Sequence, residues 1–332
     1  MGLPLLRDPS AIIGLDAAQA ASARELVEDL AARRTRPDSE EFLRSALPSS
    51  LSLPRHLSAG VRAMRYDDGP ATTLVRGFPV DDAAIGPTPS HWRDREADRT
   101  LREDFWLGLL ASLLGDPFCW STLQDGRLYN DIHPIKGNER RQTGHGSESM
   151  LEFHTEDAFH EHRCDHILLL CLRNHDRVPT TIATAGALEL SAGDREVLSQ
   201  PRFVIRPDAE HRRHMTPAET GSHERPVAVL FGDRDDPGIR IDPPYMEALP
   251  DDGEAASALA RLCARLESRL TGVALEPGDV LIIDNQRCVH GRGPFRARLD
   301  GTDRWLRKVT VTRDLRKSAG QRAGPRSRVL RG

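Results

Sequence analysis

The stretch PGDVLIIDNQRCVHGR, residues 277–292, holds a turn, an apolar run and a histidine in close succession. Pro277, Gly278 and Asp279 are typical turn residues, and residues 280–283 have the length and composition of a buried strand. His290 stands at the start of a second short strand. The stretch therefore predicts β structure that carries a histidine.

Similar short apolar runs recur from about residue 120 onward, each roughly 4–8 residues long and bounded by Gly, Pro, Asp or Asn. They lie at residues 150–153, 167–172, 180–183, 203–205, 227–231, 280–283 and 305–312. The pattern is typical of an antiparallel sandwich or barrel. We therefore expect a mainly β protein with flanking helices and a double-stranded β-helix, or jelly-roll, core.

The same patterns divide the chain into three parts. Residues 1–70 are expected to form an N-terminal helical segment that packs on the core. Residues 71–312 would form the jelly roll, interrupted at 246–272 by a helical insert with leucines at helical spacing. Residues 313–332 have an excess of Arg and Lys and are expected to form a flexible basic tail.

The composition argues against several classes of partner. The chain has 332 residues, and its 46 Lys and Arg against 50 Asp and Glu give a formal net charge of −4, whereas nucleic-acid binding favours a basic excess. No apolar run is long enough to span a membrane. Five scattered cysteines without a Cys-x-x-Cys pair favour a reducing cytoplasm. We expect a cytoplasmic protein with neither a nucleic-acid nor a membrane partner, and the oligomeric state stays open.

Motifs of several other enzyme classes are missing from the sequence. It has no P-loop, no G-x-S-x-G elbow and no H-E-x-x-H pair. His211 and His214 have helical spacing, but they stand in a charged stretch, and we expect them to form a solvated patch.

The segment MLEFHTEDAF, residues 150–159, contains a candidate metal site. If residues 150–156 form a strand, His154 and Glu156 point to the same face. Two histidines and one carboxylate on a single face bind iron(II) in oxygenases, and His290 is the candidate for the second histidine. Taken alone, the His154–Glu156 pair favours an ordinary strand that exposes both side chains, so the metal site depends on the rest of the pattern.

Arg304 extends this pattern, because it begins a further strand 14 residues after His290. Its guanidinium could form a bidentate pair with the distal carboxylate of a 2-oxo diacid. A surface arginine is the alternative interpretation for this residue.

Together these residues resemble the clavaminate synthase-like branch of the Fe(II)/2-oxoglutarate dioxygenases, which includes asparagine oxygenase and the arginine β-hydroxylases. The resemblance covers residues 73–311. Besides the Arg304 segment, it depends on GFPVD (77–81), LGDPFCW (114–120), QTGHGSESMLEFHTEDAFH (142–160), LLLCLRN (168–174) and PGDVLIIDNQRCVHGR (277–292).

The resemblance implies Fe(II), 2-oxoglutarate and O₂ as cofactors, with ascorbate as an in vitro reductant. Three residues would bind the iron: His154, Glu156 and His290. Arg304 would bind the C5 carboxylate of 2-oxoglutarate, and Thr181 would hydrogen-bond it, with Thr180 and Thr184 as rivals. Halogenating relatives lack the metal-binding carboxylate. Its presence here therefore predicts hydroxylation or desaturation.

The resemblance also implies a pocket for a free L-amino acid. Five residues would contact the substrate: Gln124, Ser147, Glu156, Asp242 and Lys308. Lys308 stands where relatives have an arginine for the substrate carboxylate, and it lacks the planar fork of that side chain. Asp242 would favour a guanidinium, but Pro244 occupies the place of the second acid of arginine-binding relatives.

We therefore expect hydroxylation, at C3, of arginine or an arginine-like amino acid in specialised-metabolite or antibiotic biosynthesis. Asparagine, lysine, a nonproteinogenic amino acid and desaturation stay open as alternatives. Two other classes of function also stay open: a non-redox metalloenzyme with zinc in the same site, and a sugar- or peptide-binding jelly roll without catalysis.

Overall fold

A computed structural model describes residues 11–186, 188–216, 221 and 225–331. The strands are β1 (Ala11–Gly14), β2 (Thr72–Arg76), β3 (Asp116–Trp120), β4 (Asn130–Ile132), β5 (Leu151–His154), β6 (His166–Arg173), β7 (Thr180–Thr184), β8 (Phe203–Ile205), β9 (Leu230–Gly232), β10 (Pro237–Ile239), β11 (Met246–Ala248), β12 (Thr271–Val273), β13 (Val280–Asp284), β14 (Cys288–Arg292), β15 (Trp305–Thr312) and β16 (Val329–Leu330). The α-helices are α1 (Ala17–Ala32), α2 (Glu40–Ser50), α3 (Arg55–Ala63), α4 (Asp82–Ile85), α5 (Leu101–Leu114), α6 (Ala192–Leu198), α7 (Ala209–Arg212) and α8 (Gly253–Arg269).

Most of these strands lie in two sheets. The larger sheet has the order β1-β2-β13-β6-β15-β3-β16, with β4 also paired to β15, and the smaller has the order β12-β7-β14-β5. Pairing in the smaller sheet is antiparallel throughout, and parallel pairs in the larger sheet occur at its two edges, β1 with β2 and β16 with β3. This arrangement agrees with the predicted mainly β protein and its jelly-roll core.

The alternation of side chains along β6 shows how the layers pack. Ile167, Leu169 and Cys171 belong to the core between the two sheets. Leu168 and Leu170 point the other way and pack against the N-terminal helices and α5. Because successive strand residues face opposite sides, a strand buried on both faces is apolar at every position, as the run at 167–172 is.

Helix α8 forms the insert predicted at 246–272, between β11 and β12. Its residues Leu262 and Leu266 are fully buried and share a core with Val289 of β14. The insert therefore covers the outer face of the smaller sheet. No helix in the described part of the chain is both long and apolar enough to cross a membrane.

Both ends of the chain differ from the prediction. Of residues 1–70, the first ten lie outside the described residues, and the segment that follows is not wholly helical, because β1 extends the larger sheet. The tail after residue 312 packs on the core as far as Leu330: its strand β16 pairs with β3, Leu330 is buried, and Arg328 forms an ion pair with Asp116 at 2.6 Å. The basic tail therefore packs on the protein, although its composition had indicated a segment exposed to solvent.

The turn at 277–279 is confirmed and sets the start of β13. Gly278 has a φ of 89°, and a Cβ there would lie 1.8 Å from the carbonyl oxygen of Phe78, so the close approach requires glycine. β13 then crosses the larger sheet beside β6 and leads into β14 of the smaller sheet. His290 therefore lies in the middle of β14.

Candidate active site

Strand pairing brings the predicted metal ligands together. β14 and β5 are antiparallel, with His290 opposite His154. The Oε2 atom of Glu156 lies 3.3 Å from Nε2 of His290 and 3.9 Å from Nε2 of His154. Among the described residues, these three side chains form the group of His, Cys, Asp or Glu residues that could hold a metal ion. One ligand atom from each side chain lies within 4.8 Å of the other two.

Glu156 lies beyond the strand that carries His154. β5 ends at His154, so the predicted strand over 150–156 is too long: the amide of Thr155 donates to Ile241 O at 2.8 Å instead. Asn285 holds the Glu156 backbone, since its Oδ1 accepts from Glu156 N at 2.8 Å and its Nδ2 donates to Glu156 O at 3.1 Å. A turn fixed by an asparagine therefore makes the carboxylate converge with the histidines.

Burial and neighbouring charges set the protonation of the ligands. Burial, aided by His290, lowers the pKa of His154 to about 4, so its imidazole is neutral near pH 7. Its Nδ1 lies 2.8 Å from Glu152 O, and donation there leaves the lone pair of Nε2 free for a metal. Burial opposes ionisation of Glu156, but Lys308 and His290 hold its pKa well below the usual range.

This donor set fits iron(II). Two imidazoles and one carboxylate on one side of the ion leave coordination positions open for a cosubstrate and O₂. All three side chains line one cavity of about 100 Å³, with Arg304 and Lys308 in the same wall. The open positions would therefore face a space that polar ligands can enter.

Arg304 is a buried cation without a carboxylate partner among the described residues. Its Nη2 donates to Thr180 Oγ1 at 3.0 Å, and its Nε has no hydrogen-bond partner. Burial lowers the pKa of Arg304 to about 10. A buried guanidinium is costly unless paired, so this site fits the distal carboxylate of 2-oxoglutarate.

Thr180 occupies the place that the sequence analysis gave to Thr181. Thr180 lines the cavity, whereas Thr181 is not part of its wall. Because neighbouring strand residues point to opposite faces, only one of the two can reach Arg304. The expected threonine contact is therefore shifted by one residue, to a rival already present in the sequence analysis.

Lys308 and Arg307 face opposite sides of β15, as their alternation predicts. Lys308 points into the cavity and forms an ion pair with Glu156. Burial opposes the charge of Lys308, but Glu156 and Asp157 raise its pKa above the usual value. Arg307 is fully buried on the other face, where it pairs with Asp104 at 2.8 Å. Lys308 is therefore the cation available to a carboxylate beside the metal site.

Two acids from different segments line the cavity. Asp242 follows β10, and Asp208 caps helix α7, where its Oδ1 accepts from Glu210 N and His211 N at 2.7 and 3.0 Å. Burial and then the charge of Asp208 raise the pKa of Asp242 well above its usual value. Pro244 lines the same cavity. Pro244 therefore offers no second acid beside Asp242, but Asp208 provides one from another part of the chain.

Comparison with known proteins identifies the family. Residues 46–310 match the family described as Taurine catabolism dioxygenase TauD, TfdA family. The chain belongs to the TauD/TfdA dioxygenases. The enduracididine beta-hydroxylase of Streptomyces hygroscopicus is 42% identical to this dioxygenase over 325 residues, which cover 92% of this chain and 95% of that protein.

Solved structures of the non-heme iron oxygenase OrfP are similar to this TauD/TfdA dioxygenase. The complex with Fe and alpha-ketoglutaric acid has a TM-score of 0.90 and 41% identity, and the complex with Fe, succinate and (3S)-hydroxy-L-Arg has a TM-score of 0.91 and 39% identity. Both comparisons cover 96% of this chain and 99% of OrfP. The jelly-roll core, the enzyme class and the cofactors iron, 2-oxoglutarate and O₂ are thereby confirmed.

Gln124 and Ser147 do not line the metal cavity of this dioxygenase. Both ends of the Gln124 side chain bond the backbone of Asp131, at 2.8 and 2.9 Å. Gln124 instead borders an adjoining cavity of about 300 Å³, which shares Lys308 and Glu210 with the metal cavity. Ser147 is buried, and its backbone carbonyl accepts a hydrogen bond from Phe295 N at 2.8 Å. Their contacts with a substrate therefore stay predictions, and the residues do not line the cavity that holds the metal ligands.

Asp208 and Glu210 were not predicted to line the cavity, and His211 was predicted to lie in a solvated patch. His211 is fully buried rather than solvated, whereas His214 is exposed as expected. The signal that could have found Asp208 is its position as N-cap, one residue before α7. Asp is a favoured N-cap residue, but nothing in the local sequence shows that the cap lies over a cavity.

Proposed function

We propose that this dioxygenase hydroxylates C3 of free L-arginine or of an arginine-derived amino acid with a guanidine group. The observation that carries the proposal is the pair Asp208 and Asp242 in the wall of the metal cavity. The relatives named above, an enduracididine beta-hydroxylase and an oxygenase bound to (3S)-hydroxy-L-Arg, support it.

The electrostatics of the cavity favour a cationic side chain. Asp242 is partly buried, and Asp208, Glu156 and Glu152 add negative charge around it. A guanidinium among these acids would relieve their repulsion and could donate to both carboxylates at once, because it has five N–H donors in a planar fork. An ammonium could neutralise the same charge but is less suited to span two acids.

The other charged residues would orient the rest of the substrate. Lys308 would bind the α-carboxylate, and Arg304 with Thr180 would hold the distal carboxylate of 2-oxoglutarate. Iron and 2-oxoglutarate, when bound at His154 and its partners, supply the O₂-dependent oxidation. Holding both ends of the amino acid fixes which carbon faces the metal site.

The test is turnover of a panel of free L-amino acids with Fe(II), 2-oxoglutarate, ascorbate and air. Mass spectrometry would follow both amino acid and succinate, with L-arginine, L-lysine, L-asparagine and enduracididine in the panel. We expect one added oxygen on a guanidine-bearing amino acid, formed one-for-one with succinate and absent without 2-oxoglutarate. Turnover of asparagine or lysine alone would contradict the proposal, and a product lacking two hydrogens would replace hydroxylation by desaturation.

We also propose a cytoplasmic location. All five cysteines are free, and four of them are buried. Unpaired thiols in this number favour a reducing compartment.

A further inference from the structure

Residues 206–216, here called the acidic arm, carry two acids of the cavity wall. The arm starts where Arg206 N donates to Tyr245 O at 2.8 Å, and it contains the single-turn helix α7. Asp208 and Glu210 both line the metal cavity. A helix of one turn has little stability of its own, so contacts outside the arm must hold these acids in place.

His211 makes the fully buried ones among these contacts; Arg206 also pairs with Glu247, and Arg212 lies over the ring of Tyr245. Its imidazole is fully buried, with Nδ1 2.7 Å from Thr122 Oγ1 and Nε2 3.1 Å from Asp157 Oδ1. The rings of Trp120 and Phe159 meet it edge-on, with centroids 5.8 and 4.8 Å away. Because a carboxylate only accepts, Nε2 carries a hydrogen and donates to Asp157.

Asp157 connects this anchor to the metal site. It follows Glu156 directly and has a φ of 51°, a left-handed conformation that is uncommon for residues other than glycine but that Asp adopts more readily than most. Trp120 Nε1 donates to the second oxygen of Asp157 at 2.6 Å. His211 and Trp120 therefore also hold the turn that presents Glu156.

Asp242, a further acid of the cavity wall, has an equivalent anchor. Thr155 Oγ1 accepts from Ile241 N at 3.1 Å, and Thr155 N donates to Ile241 O at 2.8 Å; Asp242 follows directly. The two residues that flank Glu156 in the sequence, Thr155 and Asp157, thus each hold one acid-bearing segment.

We propose that His211 is a positioning residue, whose hydrogen bonds to Thr122 and Asp157 hold the acidic arm and thereby place Asp208 and Glu210 at the substrate. The identity of the substrate rests on the proposed function, but the anchoring does not. A phenyl ring of similar shape would fill the space between Trp120 and Phe159 without holding the arm.

Three variants separate anchoring from packing. His211→Phe keeps a ring and removes both hydrogen bonds, whereas Thr122→Val removes one bond at nearly constant shape. His211→Gln keeps an amide that can donate to Asp157. His214→Phe is the matched control, because it makes the same change at an exposed histidine of the same arm.

Two measurements on the Fe(II)/2-oxoglutarate-loaded proteins under anaerobic conditions would test the proposal. The first is amide hydrogen exchange of peptides covering residues 206–216. The second is the Kd of L-arginine, read from its effect on the visible absorption of the Fe(II)/2-oxoglutarate complex.

For His211→Phe we expect faster exchange confined to the arm and a Kd raised roughly tenfold or more, the order of one or two lost buried hydrogen bonds. Thr122→Val should change both readouts less, His211→Gln should restore part of the loss, and His214→Phe should resemble the wild type.

A lower melting temperature for His211→Phe, with unchanged exchange in the arm and an unchanged Kd, would overturn the proposal and leave a packing role only. If the wild type binds neither L-arginine nor enduracididine, the proposed function fails. The exchange comparison then still decides the anchoring, since it needs no amino acid.

Discussion

Lys308 forms an ion pair with Glu156, the carboxylate of the candidate metal site. Both side chains are largely buried, so each neutralises a charge that would be costly alone. Lys308 has three N–H donors, and a metal ion bound by Glu156 would take over the neutralisation of that carboxylate. The ammonium would then be free to bind the carboxylate of a substrate.

Lys308→Met should raise the KM of the amino-acid substrate roughly ten- to a hundredfold, the effect of losing a hydrogen bond between charged groups. Lys308→Arg should retain most of the affinity, because a guanidinium also pairs with a carboxylate. Steady-state kinetics would measure both, with the exposed Lys317→Met as the matched control. An unchanged KM in Lys308→Met would remove Lys308 from substrate binding.

Arg304→Met should weaken 2-oxoglutarate binding by at least a hundredfold, because the other guanidinium that lines the cavity, that of Arg292, already donates to the carbonyls of Gly146 and Ser149. Thr180→Val should weaken it about three- to tenfold, the loss of one hydrogen bond, whereas the isosteric Thr181→Val should have little effect. Titration of 2-oxoglutarate into the anaerobic Fe(II) protein measures all three. A larger effect at Thr181 than at Thr180 would contradict the orientation of β7.

Asp242→Asn and Asp208→Asn should each lower kcat/KM for L-arginine by tenfold or more, because each removes a charged acceptor for the guanidinium. If both acids hold the same group, the double variant should lose less than the product of the single effects. The exposed Asp235→Asn is the matched control. Independent, fully multiplicative losses would indicate that the two acids do not share a ligand group.

Glu103, buried in the first turn of α5, should make stability depend on pH. Burial raises its pKa to about 7, above the unfolded value near 4.5, so the folded state binds its proton more tightly. Ionisation of Glu103 therefore lowers the free energy of unfolding. This loss is absent below about pH 4.5, grows as the pH rises and levels off above pH 7 at about 3 kcal/mol.

Glu103→Gln should accordingly stabilise the protein above pH 7, and the gain should shrink as pH falls toward 4.5. Denaturant unfolding of both proteins at several pH values would measure the difference, with the exposed Glu25→Gln as reference. A gain that stays constant with pH would show that ionisation of Glu103 is not its source.

The two histidines of the candidate metal site could be predicted because they lie on recognisable short strands, whereas Glu156 follows β5 on a turn held by Asn285. The runs at 150–153 and 280–283 predicted β structure, and the resemblance supplied the pairing that places His290 opposite His154. The choice between Thr180 and Thr181 was harder, since a change of one residue in the register reverses the face of a strand. In the structure it is Thr180 that accepts a hydrogen bond from Arg304, and the contact of either threonine with 2-oxoglutarate stays a prediction.

The positions of the acids in the cavity wall depend on contacts that local sequence patterns do not show. Asp208 and Asp242 are 34 residues apart in the chain, and their proximity follows from anchors such as His211 and Thr155 rather than from spacing. His211 resembled a solvated residue because its neighbours in sequence are charged, whereas its partners Thr122 and Asp157 come from distant segments.

The composition of the tail after residue 312 indicated a flexible segment, whereas the structure shows that this segment is packed. Leu330 is 1% exposed and pairs with Trp120 across β16 and β3. Leu330→Ala should therefore lower the free energy of unfolding by about 2–4 kcal/mol, the cost of a cavity at a buried leucine. Arg331→Ala, at the exposed neighbouring residue, should change it by less than about 0.5 kcal/mol. Equal, small effects in urea unfolding would mean that the tail is detached in solution, as its charge alone indicated.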